Sequence, residues 1–144
     1  MKVAMSKKVA GIVLAASLVS GCATPLNNAQ KQELNHWKHA GVKVEEKNEV
    51  AGVALGLLPG GGSFYSREYA LGVVNLLLWP ASILWDPISG YNGSQAINYY
   101  ATQTQVNRLK KQEMAKLDDQ LTLGEIDDRE YVKARREIEN KYDL

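Results

Sequence analysis

Apolar residues are arranged in three different ways along this 144-residue chain. Near the start they form one almost unbroken run, Val9 to Val19, interrupted only by Gly11 and Ser17. In the middle they form two blocks, Val50 to Leu58 and Tyr69 to Trp85, separated by Pro59-Gly60-Gly61-Gly62. Beyond residue 100 they are sparse and periodic: Val106, Leu109, Leu117 and Leu121, then Tyr131, Ala134, Ile138 and Tyr142. Steps of three, four and eight residues match one face of an amphipathic helix. The expected fold class is all-α: a cleaved signal helix, an apolar helical hairpin, a long amphipathic helix and a short C-terminal helix.

Local signals place the boundaries. Ala29 to Ala40 reads as one polar helix. Pro59 lacks an amide donor and Gly60, Gly61 and Gly62 are conformationally free, so the helix of the first block stops there. Ser66 is the expected N-cap of the second block, with Glu68 in its first turn. Asp86-Pro87 and Ser89-Gly90-Tyr91-Asn92-Gly93 carry turn chemistry and are expected to end it. Ser94 then caps a long helix beginning near Gln95, and Gly124 closes it. Asp127 and Glu130 form a capping-box pair for a last helix, Asp128 to Tyr142.

The N-terminal run is an address. Lys2, Lys7 and Lys8 precede it, and Ser20 and Gly21 follow it. A basic start, an apolar stretch of about 7–15 residues and small residues at the cut describe a secretory signal. The run falls short of the ~20 apolar residues of a transmembrane helix. The junction Leu18-Val19-Ser20-Gly21-Cys22 resembles the lipobox of bacterial lipoproteins. That resemblance implies cleavage between Gly21 and Cys22, a diacylglycerol on the Cys22 thiol and acylation of the new amino group, so that membrane lipid is the first expected partner. Cys22 is the chain's only cysteine, which leaves no intramolecular disulfide and no Cys-only zinc site. By the same resemblance, Ala23 rather than Asp after the cysteine favours the outer membrane; the inner one stays open.

The middle of the chain is almost uncharged. From Val50 to Asn107 the only charges are Arg67, Glu68 and Asp86. Nine helical residues reach about 14 Å and seventeen about 26 Å, against a hydrocarbon core about 30 Å thick. Glu45, Glu46, Lys47 and Glu49 stand before the first block, and Pro80 interrupts the second. A hairpin dipping into one leaflet fits these lengths, with Tyr65, Tyr69, Trp79 and Trp85 as interfacial aromatics. The alternative is a soluble core in which both blocks pack on the C-terminal helices. Gly62-Ser63-Phe64-Tyr65, Gly72, Asn75-Leu76-Leu77-Leu78-Trp79 and Trp85-Asp86 together resemble the TM2 domain, a short membrane hairpin. The hairpin motif is then Gly60, Gly61, Gly62, Phe64, Tyr65, Gly72, Trp79, Pro80, Trp85 and Asp86. In it the glycines permit a tight reversal, Gly72 permits close helix approach, and Asp86 meets water or headgroups at the block's end.

The tail resembles a second small family. Leu117, Leu121, Gly124-Glu125-Ile126-Asp127-Asp128-Arg129-Glu130-Tyr131, Lys133 and Arg136 are similar to the SHOCT module. The resemblance implies an interaction or oligomerisation element. Its two apolar stripes either seal against each other or bind a second copy or a protein partner.

Charge and candidate chemistry narrow the function. Seventeen Lys and Arg face sixteen Asp and Glu, a formal +1. Loss of Lys2, Lys7 and Lys8 with the signal turns this to −2. From Thr102 to Leu144 nine basic residues meet ten acidic ones, so Lys133, Arg135 and Arg136 supply little net phosphate attraction and no nucleic-acid partner is expected. His36 and His39 share a helix face, but no third ligand completes a metal set. The glycines lack the Gly-Lys-[Ser/Thr] of a phosphate loop, and Gly62-Ser63-Phe64 is no nucleophile elbow. No catalytic residue, cofactor or small-molecule substrate is expected.

The expected organisation is a signal peptide over 1–21, a lipidated tether and polar helix over 22–48, the TM2-like hairpin over 49–93 and the charged helical tail over 94–144. The expected function is a non-enzymatic, lipid-anchored cell-envelope protein acting as a scaffold or interaction module. The alternative is a phage-exclusion or envelope-stress lipoprotein.

Overall fold

A computed structural model describes residues 25–144; the expected signal peptide, the expected cleavage site at Gly21 and the expected lipidation of Cys22 lie outside the described residues. Every regular element among the described residues is helical. They are α1 (Asn28–His39), α2 (Glu49–Leu55), α3 (Gly61–Tyr65), α4 (Tyr69–Leu77), a 3-10 turn (Ala81–Leu84), α5 (Asp86–Thr122) and α6 (Asp128–Tyr142). The chain forms two compact units. One contains Asn48–Ser94; the other contains Leu26–Lys47 and Gln95–Leu144.

The second unit has an ordinary apolar core. Asn27 opens α1 with a reciprocal capping box: its Oδ1 accepts from the Gln30 amide at 2.9 Å, and Gln30 Oε1 accepts from the Asn27 amide at 3.0 Å. Leu26, expected within the tether, is instead buried with Leu34, Trp37, Tyr99, Val106 and Tyr142. An apolar side chain next to a docked helix gains more by burial than a free tether would allow. The Trp37 indole N–H donates to the Tyr142 carbonyl at 3.0 Å, and its ring stacks on Tyr99 with centroids 5.6 Å apart. The segment between α1 and α2 is held by side chains of α5. The Asn98 amide both accepts from the Lys47 N–H and donates to the Lys47 carbonyl, each at 2.8 Å. Thr102 Oγ1 accepts from the Val44 N–H at 3.0 Å. Asn98 and Thr102 thus satisfy backbone groups that would otherwise need a strand partner.

The end of the chain follows its local signals. Gly124, at φ 72°, closes α5: the Glu125 N–H donates to the Gln120 carbonyl at 2.9 Å and the Gly124 N–H to the Leu121 carbonyl at 3.0 Å. This is the left-handed cap that favours glycine. Asp127 Oδ1 accepts from the Glu130 amide at 2.8 Å and Glu130 returns the bond to the Asp127 amide at 3.1 Å. Tyr142, Ile138, Val106 and Leu109 of the two predicted stripes meet in or against the core.

The middle departs from expectation. The apolar stretch is not a two-helix hairpin but three short helices, a 3-10 turn and the opening of α5. Ser66 does not cap α4; it ends α3, and its hydroxyl donates to the Gly62 carbonyl at 3.0 Å. α5 begins at Asp86, not near Gln95, so Ser89 to Gly93 are helical rather than a turn. Pro87 suits a first helical turn, where its missing N–H costs nothing. The helical cost of Gly90 is offset by the close backbone approach of Gly52 that it permits.

Candidate functional site

Within Asn48–Ser94 the elements meet backbone to backbone. Gly52 of α2 and Gly56, which caps its C-terminus, are four residues apart, as are Asp86, Gly90 and Ser94 of α5. A Cβ on Gly52 would stand 2.5 Å from the Gly90 carbonyl oxygen, and one on Gly90 would collide with the Gly52 carbonyl. A Cβ on Gly56 would meet Pro87, and one on Gly62 would meet the Asp86 carbonyl. Helix approach of this kind is open only to residues without side chains. Gly60, at φ 69°, makes the reversal into α3, and Gly61 lies against the Leu55 carbonyl. The Phe64 ring packs over Gly72, where a Cβ would fall 2.6 Å from Cδ1. The Tyr65 hydroxyl accepts from the Asn48 N–H at 3.0 Å.

Asp86 is the centre of this unit. It is fully buried, not solvated at the end of an apolar block. Its Oδ1 accepts from the Ser63 amide at 3.0 Å, the Ser63 hydroxyl at 2.5 Å and Asn75 Nδ2 at 2.7 Å. Its Oδ2 accepts from the Gly62 amide at 3.0 Å. Two of these donors are orphan amides of the first turn of α3, so Asp86 caps a helix from another part of the chain. Asn75 Nδ2 also lies 2.9 Å from Ser63 Oγ, and Asn75 Oδ1 accepts from the Trp85 indole N–H at 2.8 Å. Ser63 and Asn75 are both fully buried. Bonds of this charge-assisted kind offset the desolvation of a buried carboxylate. The predicted motif residues Gly62, Trp85 and Asp86 therefore converge on one network. Trp79 and Pro80, joined by a cis peptide bond, stay half-exposed or exposed outside it.

The burial pattern of the unit is inverted. Its fourteen buried residues are seven glycines, five serines, Asn75 and Asp86; none is a large hydrophobic. Among the described residues, all seven buried large hydrophobics belong to the other unit. Conversely, fifteen of the nineteen exposed large hydrophobics among the described residues fall between Val50 and Tyr91, with Val50, Leu77 and Leu84 each more than three-quarters exposed. Sequence reasoning singled out Asp86 and the glycines but missed Asn75 and Ser63 as its partners, and Gly52, Gly56 and Gly90 as contact points. The one available signal was the recurrence of small residues four positions apart, at 52 and 56 and at 90 and 94.

Among the described residues no three His, Cys, Asp or Glu side chains cluster as a metal site, and no helix is long and apolar enough to cross a membrane. His36 Nε2 donates to the Lys141 carbonyl at 3.1 Å. Burial, then the Glu33 carboxylate 2.6 Å away, pushes the Tyr99 phenol up to about 12. Burial alone would raise Glu113, but hydrogen bonds from Lys141 at 2.8 Å and Tyr142 at 2.7 Å lower it on balance. An open groove of about 400 Å³ between α5 and α6 is lined by Glu113, Leu117, Gln120, Ala134, Ile138 and Lys141. Comparison with known proteins gives no match: none to a family model, none to a curated protein and none to a solved structure.

Proposed function

We propose that this chain is a non-enzymatic, lipid-anchored protein of the bacterial cell envelope. Cys22 carries the acyl anchor after cleavage behind Gly21, and Ala23 directs the protein toward the outer membrane. The Asn48–Ser94 unit adds membrane contact, and the unit built from α1, most of α5 and α6 serves as the scaffold or docking element, through a protein partner or a second copy. The observation that carries the reading is the concentration of exposed large hydrophobics in one nearly uncharged unit. A surface of that kind marks an interaction or membrane site. The likeness of its motif to the TM2 domain, and of residues 117 to 136 to the SHOCT module, supports the same division of labour. The groove between α5 and α6, with charged residues around Leu117 and Ile138, supports docking of a polar partner rather than a small apolar ligand.

The test is metabolic labelling with a clickable fatty acid in cells producing the full chain or its Cys22→Ala variant. The wild type should be labelled and processed, and the variant unlabelled and unprocessed. Equal labelling of both would refute the anchor.

A further inference from the structure

We infer that Asn48–Ser94 is an inside-out body seated in one leaflet of a lipid bilayer, with the Asp86–Ser63–Asn75 network as its core and its apolar shell facing the acyl chains. This rests on the envelope reading only for which membrane is meant; the geometry stands without Cys22.

A unit folding in water needs an apolar interior, because removing apolar surface from water is the main favourable term. This unit has no buried large hydrophobic at all. Its interior is made of glycine backbone contacts and of hydrogen bonds among Asp86, Ser63, Asn75 and Trp85. Small residues at helix contacts and polar side chains bonded across helices are how helices associate when the surrounding solvent is itself apolar. Backbone groups must also be satisfied internally in such a solvent, and the carboxylate of Asp86 meets that demand for the Gly62 and Ser63 amides.

Lipid fits this shell better than a protein partner does. The exposed apolar residues come from α2, α4, the 3-10 turn and the first turns of α5, so they do not form the single stripe that one helix or a second copy would cover. Apart from Glu49 at its edge and the Arg67-Glu68 turn, the only charged residue of the unit is the buried Asp86, which leaves little of the electrostatic complementarity a protein interface uses for specificity. Tyr69, Trp79, Trp85 and Tyr91 are exposed, and aromatics with a polar edge are the residues that settle at headgroup level. The length of its helices suits one leaflet: α4 has nine residues, about 14 Å of helix, against a half-thickness of about 15 Å for a hydrocarbon core about 30 Å thick. The body therefore enters one leaflet and does not span.

The experiment uses the full-length, processed protein purified from its membranes and reconstituted into vesicles of phosphatidylethanolamine and phosphatidylglycerol. Single cysteines replace exposed residues, Leu77→Cys and Leu84→Cys in this unit and Leu123→Cys and Val132→Cys in the other, and each carries a nitroxide. Collision with oxygen, which concentrates in lipid, is compared with collision with a water-soluble nickel chelate. Oxygen should prevail at 77 and 84, and the chelate at 123 and 132. Two results would overturn the inference: chelate preference at 77 and 84, which places the shell in water, or protection from both reagents, which places it against protein. The parent chain, whose sole cysteine is Cys22, is treated in parallel. Labelling of the parent means Cys22 is not acylated; the depth measurement is then repeated with Cys22→Ser added, so either reading can fail alone.

Discussion

Asp86→Ala removes the acceptor of four hydrogen bonds at once. Two of the donors, the Ser63 hydroxyl and Asn75 Nδ2, still lie 2.9 Å from each other and retain a partner. The Gly62 and Ser63 amides do not, because Asp86 is the acceptor that each of them reaches, at 3.0 Å. A buried donor left unsatisfied costs about 1–3 kcal/mol, so the pair costs about 2–6 kcal/mol. That is a large fraction of the ~5–15 kcal/mol that holds an ordinary domain together. Amide hydrogen exchange read by NMR or mass spectrometry isolates the effect. Exchange at Gly62 and Ser63 should accelerate by about thirtyfold or more, since each 1.4 kcal/mol is tenfold in an opening equilibrium. Asp86→Asn keeps one carboxyl-like oxygen for Ser63 but turns an amino group toward the Gly62 N–H, so its acceleration should be smaller and centred on Gly62. Exchange at Gly62 and Ser63 unchanged within threefold in the alanine variant would refute the assignment of Asp86 as the acceptor that holds α3.

Three further outcomes follow from the same geometry. Gly52→Val should destabilise the Asn48–Ser94 unit by about 1–3 kcal/mol or more, because its Cβ would press on the Gly90 carbonyl; urea titration followed by Trp79 and Trp85 fluorescence in a Trp37→Phe background measures it. Asp127→Ala should cost about 0.5–2 kcal/mol by removing the cap of α6, measured as a lowered midpoint of thermal unfolding by circular dichroism. The Tyr99 phenol is raised to about 12 from an ordinary value near 10, so its protonated form is the one favoured by the fold. Its contribution is whole below pH ~10 and is lost as pH rises toward 12. Tyr99→Phe should flatten stability over that interval, and an unchanged slope would count against the Glu33–Tyr99 bond.

The two ends of the described chain were legible because their signals are local. A capping box needs only Asp127 and Glu130, three residues apart, and α6 begins and ends where that spacing and the Tyr131-Ala134-Ile138-Tyr142 stripe place it. Gly124 closes α5 by its own backbone freedom, whereas the Asn27–Gln30 capping box of α1, equally local, was not read from the sequence. The low charge of the middle is likewise a property of the residues themselves. It indicates that the segment avoids ordinary solvation, but not which way its side chains face.

Only the tertiary structure decided the rest. Ser89-Gly90-Tyr91-Asn92-Gly93 has turn chemistry by itself, yet it is helical, because Gly90 without a side chain lets α2 approach at Gly52. Asp86 has the place of a solvated terminal acid in the sequence, yet its partners lie 11 to 24 residues away, at distances no local rule reads. The sequence alone determined that the elements are helical, that Asp127 opens the last helix and Gly124 closes the long one, and which stretch is apolar. Which residues of that stretch turn inward was set by packing: backbone contact and a buried carboxylate took the interior, and the large hydrophobics were left on the surface.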